Sequence, residues 1–280
     1  MGDSMGKLFI CGTPIGNLED VSVRLLKTLR RVDLIACEDT RHTAKLLARY
    51  KIKKPLISYH EHSGQEREAY ILKLLREGKN IALVSDAGMP GISDPGAGLI
   101  KKAIEEGIPL EVVPGPSALV SALALSGMDT SSFVFVGFLP AKEGAREKLL
   151  QELKREKRTL IFYEAPHRLV KTLQSMAKIL GEERRIAVAR EITKLYEEVR
   201  RGSLREIERY FAHNPPKGEF TLIVEGDREE KEVDREKVLA EVKMLIDKGM
   251  DKKEALKMKA REYKIKKSEL YKSFLDEYDD

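Results

Sequence analysis

The chain has 280 residues, 51 Lys and Arg against 46 Asp and Glu for a net charge of +5, and 42% hydrophobic residues. That length suits about two domains, and the apolar share is too high for a disordered chain. The longest apolar stretch, near Ala118–Leu125, is too short to span a bilayer. Two cysteines cannot build a disulfide framework, and no secretory signal is recognisable, so a reducing cytoplasmic setting without a membrane partner is expected.

Lys7–Gly12 reads as a buried strand, a short apolar run stopped by glycine. Val21–Val32 has helical spacing at Val21, Leu25, Leu26 and Leu29. Asp33–Cys37, Pro55–Tyr59, Asn80–Ser85 and Leu110–Val113 read as further strands. Thr40–Tyr50, Gln65–Arg76, Ala97–Glu106 and Ser117–Leu125 read as the helices between and after them. Such alternation implies a mostly parallel sheet covered on both faces. The pattern restarts beyond Gly127. Phe133–Gly137, Thr159–Tyr163, Ile186–Arg190, Leu195–Arg201 and Phe220–Glu225 are predicted strands. Arg146–Lys157, Arg168–Leu180 and Ser203–Ala212 are predicted helices. The tail is all helix, over Asp234–Lys248, Lys252–Tyr263 and Lys267–Glu277. The predicted architecture is therefore two α/β domains, 6–128 and 129–228, and a small helical unit over 232–280 whose short connections suggest a helix-turn-helix-like arrangement.

The tail also carries the charge asymmetry. Lys243–Lys272 holds 11 basic and 5 acidic residues, a net +6, and the rest of the chain carries −1. Such a block is either a solvated helix face or a nucleic-acid contact.

In parallel α/β sheets, ligands bind beyond the C-terminal ends of strands, so the turns there hold the candidate chemistry. They read Gly12-Thr13-Pro14-Ile15-Gly16, Glu38-Asp39-Thr40-Arg41-His42, Tyr59-His60-Glu61-His62, Ser85-Asp86-Ala87-Gly88-Met89 and Pro114-Gly115-Pro116-Ser117-Ala118. The first turn lacks the full dinucleotide glycine pattern, and no phosphate-binding lysine loop is present. Asp86 suits a ribose diol or an ammonium group. Asp94, with Ser93 before it and Pro95 after, suits a helix cap. His60-Glu61-His62 fits a substrate-facing loop or an exposed turn better than a metal site, because the other histidines are scattered. Arg41, Arg168 and Arg190 each stand beside a carboxylate, so each either pairs with Asp39, Glu164 or Glu191, or grips phosphate. Tyr59 and Tyr163 either stack on a base or pack.

Taken together, GTPIGNL, EDTRHT, HEH, SDAGMPGISDPG, PGPSA, FYEAPHR, ARE-x-TK and GEF-x-L-x-V-x-G resemble the tetrapyrrole methylase superfamily. Within it they resemble the ribosomal RNA 2′-O-ribose methyltransferases that act at the bacterial decoding site. The motifs run in order from Gly12 to Gly226. The resemblance implies S-adenosylmethionine held in a cleft between two α/β domains, a homodimer, and a cytidine of 16S ribosomal RNA in the small subunit as substrate. It also implies a cofactor site of Pro14, Ile15, Asp86, Met89, Ser117, Ala118, Tyr163, Glu164, Arg190, Glu219, Phe220 and Thr221. Arg41 and Arg168 would grip RNA, and no metal is required. Glu61, His60 and Glu191, in that order, are candidates to accept the hydroxyl proton. Two other readings stay open, a small-molecule tetrapyrrole methyltransferase and a non-catalytic RNA-binding assembly factor. The first predicts no RNA affinity, and the second predicts no cofactor site.

Overall fold

A computed structural model describes residues 5–60, 64–228, 235–263 and 265–278. The chain folds as two compact units, Met1–Asp227 and Arg228–Asp280.

In the first unit, β1 (Leu8–Cys11), β2 (Leu34–Cys37), β3 (Leu56–Ser58), β4 (Ile81–Val84) and β5 (Leu110–Val113) form an all-parallel sheet ordered β3-β2-β4-β1-β5. Helices α1 (Val23–Arg31), α2 (Thr40–Arg49), α3 (Gly64–Arg76) and α4 (Ala97–Glu105) connect the strands. One face buries Ile71, Leu72, Leu75, Leu99 and Ala103 from α3 and α4. The other buries Leu25, Leu29 and Leu47 from α1 and α2. Burial on both faces is why Ile81-Ala82-Leu83-Val84 has no polar alternation and no exposed residue. From β2 the chain runs outward to β3, and from the adjacent β4 it runs the opposite way to β5. These diverging connections open a crevice at the C-terminal ends of β2 and β4. The register pairs Cys37 and Cys11 with Val84, and Cys11 with Val113. The strand ends are therefore level, and the turns after them lie side by side as the sequence implies.

A second sheet contains β6 (Phe133–Phe138), β7 (Thr159–Glu164), β8 (Arg185–Arg190), β9 (Glu198–Ser203) and β10 (Phe220–Val224), ordered β6-β7-β10-β8-β9. Only β6 and β7 are parallel; the other pairs are antiparallel. Helices α6 (Glu143–Leu153), α7 (Leu169–Leu180) and α8 (Leu204–His213) supply the core of one face through Leu150, Leu173, Met176 and Phe211. The opposite face packs α5 (Ala118–Ser126), whose Ala122 and Leu123 meet Ile161, Ala187 and Ile223. Although α5 belongs by sequence to the predicted domain 6–128, it therefore covers the second sheet. Strand β9 begins three residues later than expected, because 191–197 form a turn in which Glu191 (φ 50°) and Thr193 (φ 68°) are left-handed.

The second unit holds α9 (Arg235–Asp247), α10 (Lys252–Glu262) and α11 (Lys267–Tyr278). Val238, Leu239, Val242, Ala255, Leu256, Ala260, Leu270 and Phe274 form its core. Asp251 starts α10, its carboxylate accepting from the amides of Lys253 (2.9 Å) and Glu254 (3.2 Å). The expected helix start at Asp234 and the turn residue Lys264 lie outside the described residues. Among the described residues no helix is long and apolar enough to cross a membrane.

Candidate active site

Two glycines set the floor of the site. Gly12 ends β1 and Gly115 follows β5, and their backbones touch: a Cβ on Gly115 would stand 2.6 Å from the Gly12 carbonyl, and one on Gly12 would stand 2.6 Å from Met89 Sδ. Any side chain here would force the two turns apart, so only glycine lets the ends of β1 and β5 approach this closely. Thr13 and Gly88 form a two-way backbone bridge, with N···O distances of 2.9 and 3.2 Å. Thr13 Oγ1 donates to the Ser85 carbonyl (3.1 Å), and Ser85 Oγ lies 3.2 Å from the carbonyls of Ala87 and Gly88. The first and fourth turns are thus fastened together. Pro14 is buried, and Ile15 reaches Ala122, Ile161 and Ile192, which anchors the first turn on the second sheet.

Carboxylates converge at the crevice between β2 and β4. Asp86 Oδ1 accepts from the Asp39 amide (3.1 Å). Burial and the nearby Glu38 push the Asp94 carboxyl up to about 6, with Asp86 and Glu219 adding and a hydrogen bond from Ser85 opposing. Burial and the Asp86 charge raise Glu38 in the same way, partly offset by a hydrogen bond from the Asp86 amide and, less, by His60. The expectation that Asp94 caps α4 is not met. The helix starts at Ala97 behind Gly96 (φ 137°) and has no side-chain cap, so Pro95 is not its first residue. Asp94 instead belongs to the acidic wall, a role the capping pattern concealed. Glu38 joins it; the only sequence signal was its place at a strand end.

The second sheet sorts the other expected residues by its pleat, since alternate side chains point to opposite faces. On β7, Ile161 and Tyr163 share the α5 face, whereas Phe162 and Glu164 point to the other side. On β10, Thr221 and Ile223 face α5, and Phe220, Leu222 and Val224 face away. Register places Tyr163 beside Thr221, and Thr221 beside Ala189. Tyr163 packs edge-on against Phe135 (5.0 Å), and its hydroxyl accepts from the Leu119 amide near the start of α5, with Asp94 close enough to raise its pKa slightly beyond the effect of burial. Ser117 precedes α5 but makes no capping bond, and Ala118 is the first residue of that helix. Glu164 is buried against Thr172 Oγ1 (2.5 Å), the Ala165 amide (2.9 Å) and Arg168 Nε (3.3 Å). Arg168 also donates to the Leu139 carbonyl. These two hold β6, β7 and α7 together rather than lining the cleft. Phe220 packs on Phe211 in the core.

Arg190 does not pair with Glu191. Its Nε donates to the Lys217 carbonyl (2.7 Å), and its Nη1 lies 3.7 Å from Glu198. Glu191 Oε1 accepts from the Glu219 amide (2.9 Å) and Lys194 Nζ (3.0 Å). Burial works against its charge, but that amide, Lys194 and Arg190 outweigh it and hold the carboxyl below its ordinary range. Lys194 also reaches Glu219 Oε2 (3.1 Å). Arg41 pairs with Asp39 at 3.0 Å on an exposed surface. His60 is exposed, and Glu61 and His62 lie outside the described residues. Among the described residues no three His, Cys, Asp or Glu side chains are placed to hold a metal ion.

A crevice with closely packed glycine turns, mutually repelling carboxylates and a tyrosine wall fits S-adenosylmethionine. Carboxylates accept from a ribose diol and from an ammonium group, and the cofactor's positive charges relieve the repulsion that raises Asp94 and Glu38. Residues 7–208 match the family of Tetrapyrrole (Corrin/Porphyrin) Methylases. The chain belongs to that family. It is a methyltransferase, with S-adenosylmethionine as methyl donor. Its fold is shared by the methyltransferase CobJ (TM-score 0.61, 18% identity, 79% of this chain and 94% of that one). Cobalt precorrin-4 methyltransferase also shares it (TM-score 0.57, 19% identity, 78% and 94%). Nearer in sequence are proteins named ribosomal RNA small subunit methyltransferase I. The one from Synechocystis is 47% identical over 97% of this chain and 98% of its own length. The one from Bacillus subtilis is 46% identical over 96% and 94%. The one from Thermotoga maritima is 52% identical over 222 residues, 79% of this chain and 99% of its own.

Proposed function

We propose that this chain methylates the 2′-hydroxyl of a cytidine ribose in 16S ribosomal RNA, at the decoding centre of the small subunit, as a cytoplasmic homodimer. The observation that carries the reading is the identity of 46–47% over nearly the full length of relatives named for methylating small-subunit ribosomal RNA. S-adenosylmethionine supplies a methyl group already activated on a sulfonium sulfur. Asp86, Asp94 and Glu38 would hold it by accepting from its hydroxyl and ammonium groups. Tyr163, Thr221 and Ser117 wall the cleft and keep water from the reacting atoms. The ribose 2′-oxygen forms a bond to the methyl carbon as the carbon–sulfur bond breaks, and the hydroxyl proton passes to a base. His60 is the base we assign among the described candidates. It lies close enough to Glu38 to act on that carboxyl at the rim of the crevice, whereas the Glu191 carboxylate is engaged and held below its ordinary range. His60→Gln therefore lowers kcat by about 100-fold or more and leaves KM for the cofactor unchanged; an unaltered kcat removes His60 from proton transfer.

The test of the whole reading is transfer of a radiolabelled methyl group to isolated small subunits that lack the modification, followed by RNA digestion. Label on a cytidine 2′-oxygen is the expected result. Cofactor binding without labelled RNA moves a small-molecule substrate to the front.

A further inference from the structure

The densest positive charge in the chain is not in the tail. Residues 41–54 contain Arg41, Lys45, Arg49, Lys51, Lys53 and Lys54 and no acidic residue, +6 in 14 residues, against +6 over the 30 residues of Lys243–Lys272. Helix α2 supplies the first part of this ridge and the α2–β3 turn the rest. Leu46, Leu47 and Ile52 face the core, so the helical period turns Arg41, Lys45 and Arg49 outward, and Lys51 and Lys53 are exposed as well. Arg41 holds Asp39, but Lys45, Arg49, Lys51, Lys53 and Lys54 make no ion pair with any described carboxylate. In the tail Lys259 is clasped by Glu241 (2.7 Å) and Glu262 (2.9 Å), and Lys253, Lys257, Arg261, Lys267 and Lys272, unpaired among the described residues, are spread over 20 residues and interspersed with acidic ones.

The ridge is continuous with the active site. Its first residues follow Asp39, whose amide donates to Asp86. From there α2 runs 10 residues, about 15 Å. At its far end an open furrow of about 890 Å³ is lined by Ala44, Leu47, Ala48, Pro55 and Leu56 with Lys51 at its rim. Unpaired cations at this spacing match the phosphates of a nucleic-acid strand, and the furrow offers an apolar surface to a ribose or base.

We propose that the α2 ridge, Lys45 to Lys54, is the surface along which the substrate RNA backbone docks as its target nucleotide enters the cleft. This rests on the assignment of ribosomal RNA as substrate. Five cations with no competing carboxylate attract a polyanion without first breaking a salt bridge, and α2 leads from them back to Asp39, whose amide bonds Asp86 at the crevice.

The experiment measures binding of the full-length protein to unmodified small ribosomal subunits from about 50 to about 200 mM salt. The test variant is Lys45→Gln, Arg49→Gln, Lys53→Gln, which keeps helix-forming residues on α2. A control variant removes three exposed cations elsewhere in the same unit, Lys148→Gln, Lys157→Gln, Lys171→Gln, to match the change in net charge. For the test variant the slope of log K against log salt falls by about 2, at roughly 0.7–0.9 per lost phosphate contact. The control keeps the wild-type slope, and both variants bind S-adenosylmethionine as the wild type does. Equal slopes for wild type and test variant, or equal losses in test and control, overturn the ridge. If the wild type itself neither binds nor methylates the subunits, it is the substrate assignment that fails.

Discussion

Ser93-Asp94-Pro95-Gly96 has the residue types of a helix start, yet Asp94 accepts a hydrogen bond from Ser85 instead of capping α4. The backbone decides this: Ser93 (φ 60°) and Gly96 (φ 137°) are left-handed, and the Gly91 amide closes the loop onto the Pro95 carbonyl (3.3 Å). The loop therefore turns its carboxylate inward, and the consequence is a pH dependence. Asp94 has a folded pKa of about 6 against an ordinary 3.8. Between those values the folded protein holds more protons than the unfolded chain, so stability without cofactor falls as pH rises through that window and then levels off. Asp94→Asn removes the buried charge. Its Tm exceeds that of the wild type at about pH 8, and the two converge near pH 4. An offset that is the same at both pH values would show that Asp94 carries no strained charge. The same substitution weakens S-adenosylmethionine binding in calorimetry, because a carboxylate partner for its hydroxyl or ammonium groups is lost.

The turn 191–197 does at the level of an element what the sequence did not disclose. Glu191 N donates to the Glu219 carbonyl (3.0 Å), Lys194 joins Glu191 to Glu219, and Thr193 Oγ1 accepts from the Asn17 amide (3.1 Å). Gly16 lies under the Lys194 stem, where a Cβ would stand 2.4 Å from Cγ. The turn therefore straps the first turn, at Pro14–Asn17, to the end of β8 and the start of β10. Lys194→Met keeps the stem and deletes the charge. It raises KM for S-adenosylmethionine by about tenfold while kcat stays within about twofold, the loss expected of a partly exposed charge-assisted bond. A fall in kcat with KM unchanged would place Lys194 in the chemistry instead. Much of the element-scale picture was legible because it is local. Short apolar runs ended by Gly, Asp or Pro marked four of the five strand ends of the first sheet, while Tyr163 and Glu164, read together as cofactor residues, are sent to opposite faces by the pleat of β7. Strand pairing was not legible: nothing within Phe220–Val224 says that it runs antiparallel between β7 and β8. Nor does Ala118–Ser126, apolar on every side, announce which sheet it covers.

At the scale of the whole chain, each unit has contacts and a core of its own. The last strand of the first unit is flanked by Arg184, which holds Asp227 (3.2 Å) and the Glu225 carbonyl (3.2 Å), and the Asp227 amide donates to Glu156 (2.6 Å). The tail has its own core of Val238, Leu256, Leu270 and Phe274. The Thermotoga relative aligns over 99% of its length with only 222 residues of this chain, so a methyltransferase of this family exists at about the size of the first unit. A chain ending at Asp227 is therefore expected to stay folded and to bind S-adenosylmethionine with unchanged calorimetric affinity. What it loses is charge: the tail's exposed Lys253, Lys257, Arg261, Lys267 and Lys272 make no ion pair among the described residues. Truncation should then flatten the salt dependence of binding to small ribosomal subunits while methyl transfer at low salt persists. An unaltered slope would make the three helices a structural appendage. A folded chain that no longer binds cofactor would mean that the site described here is incomplete without them.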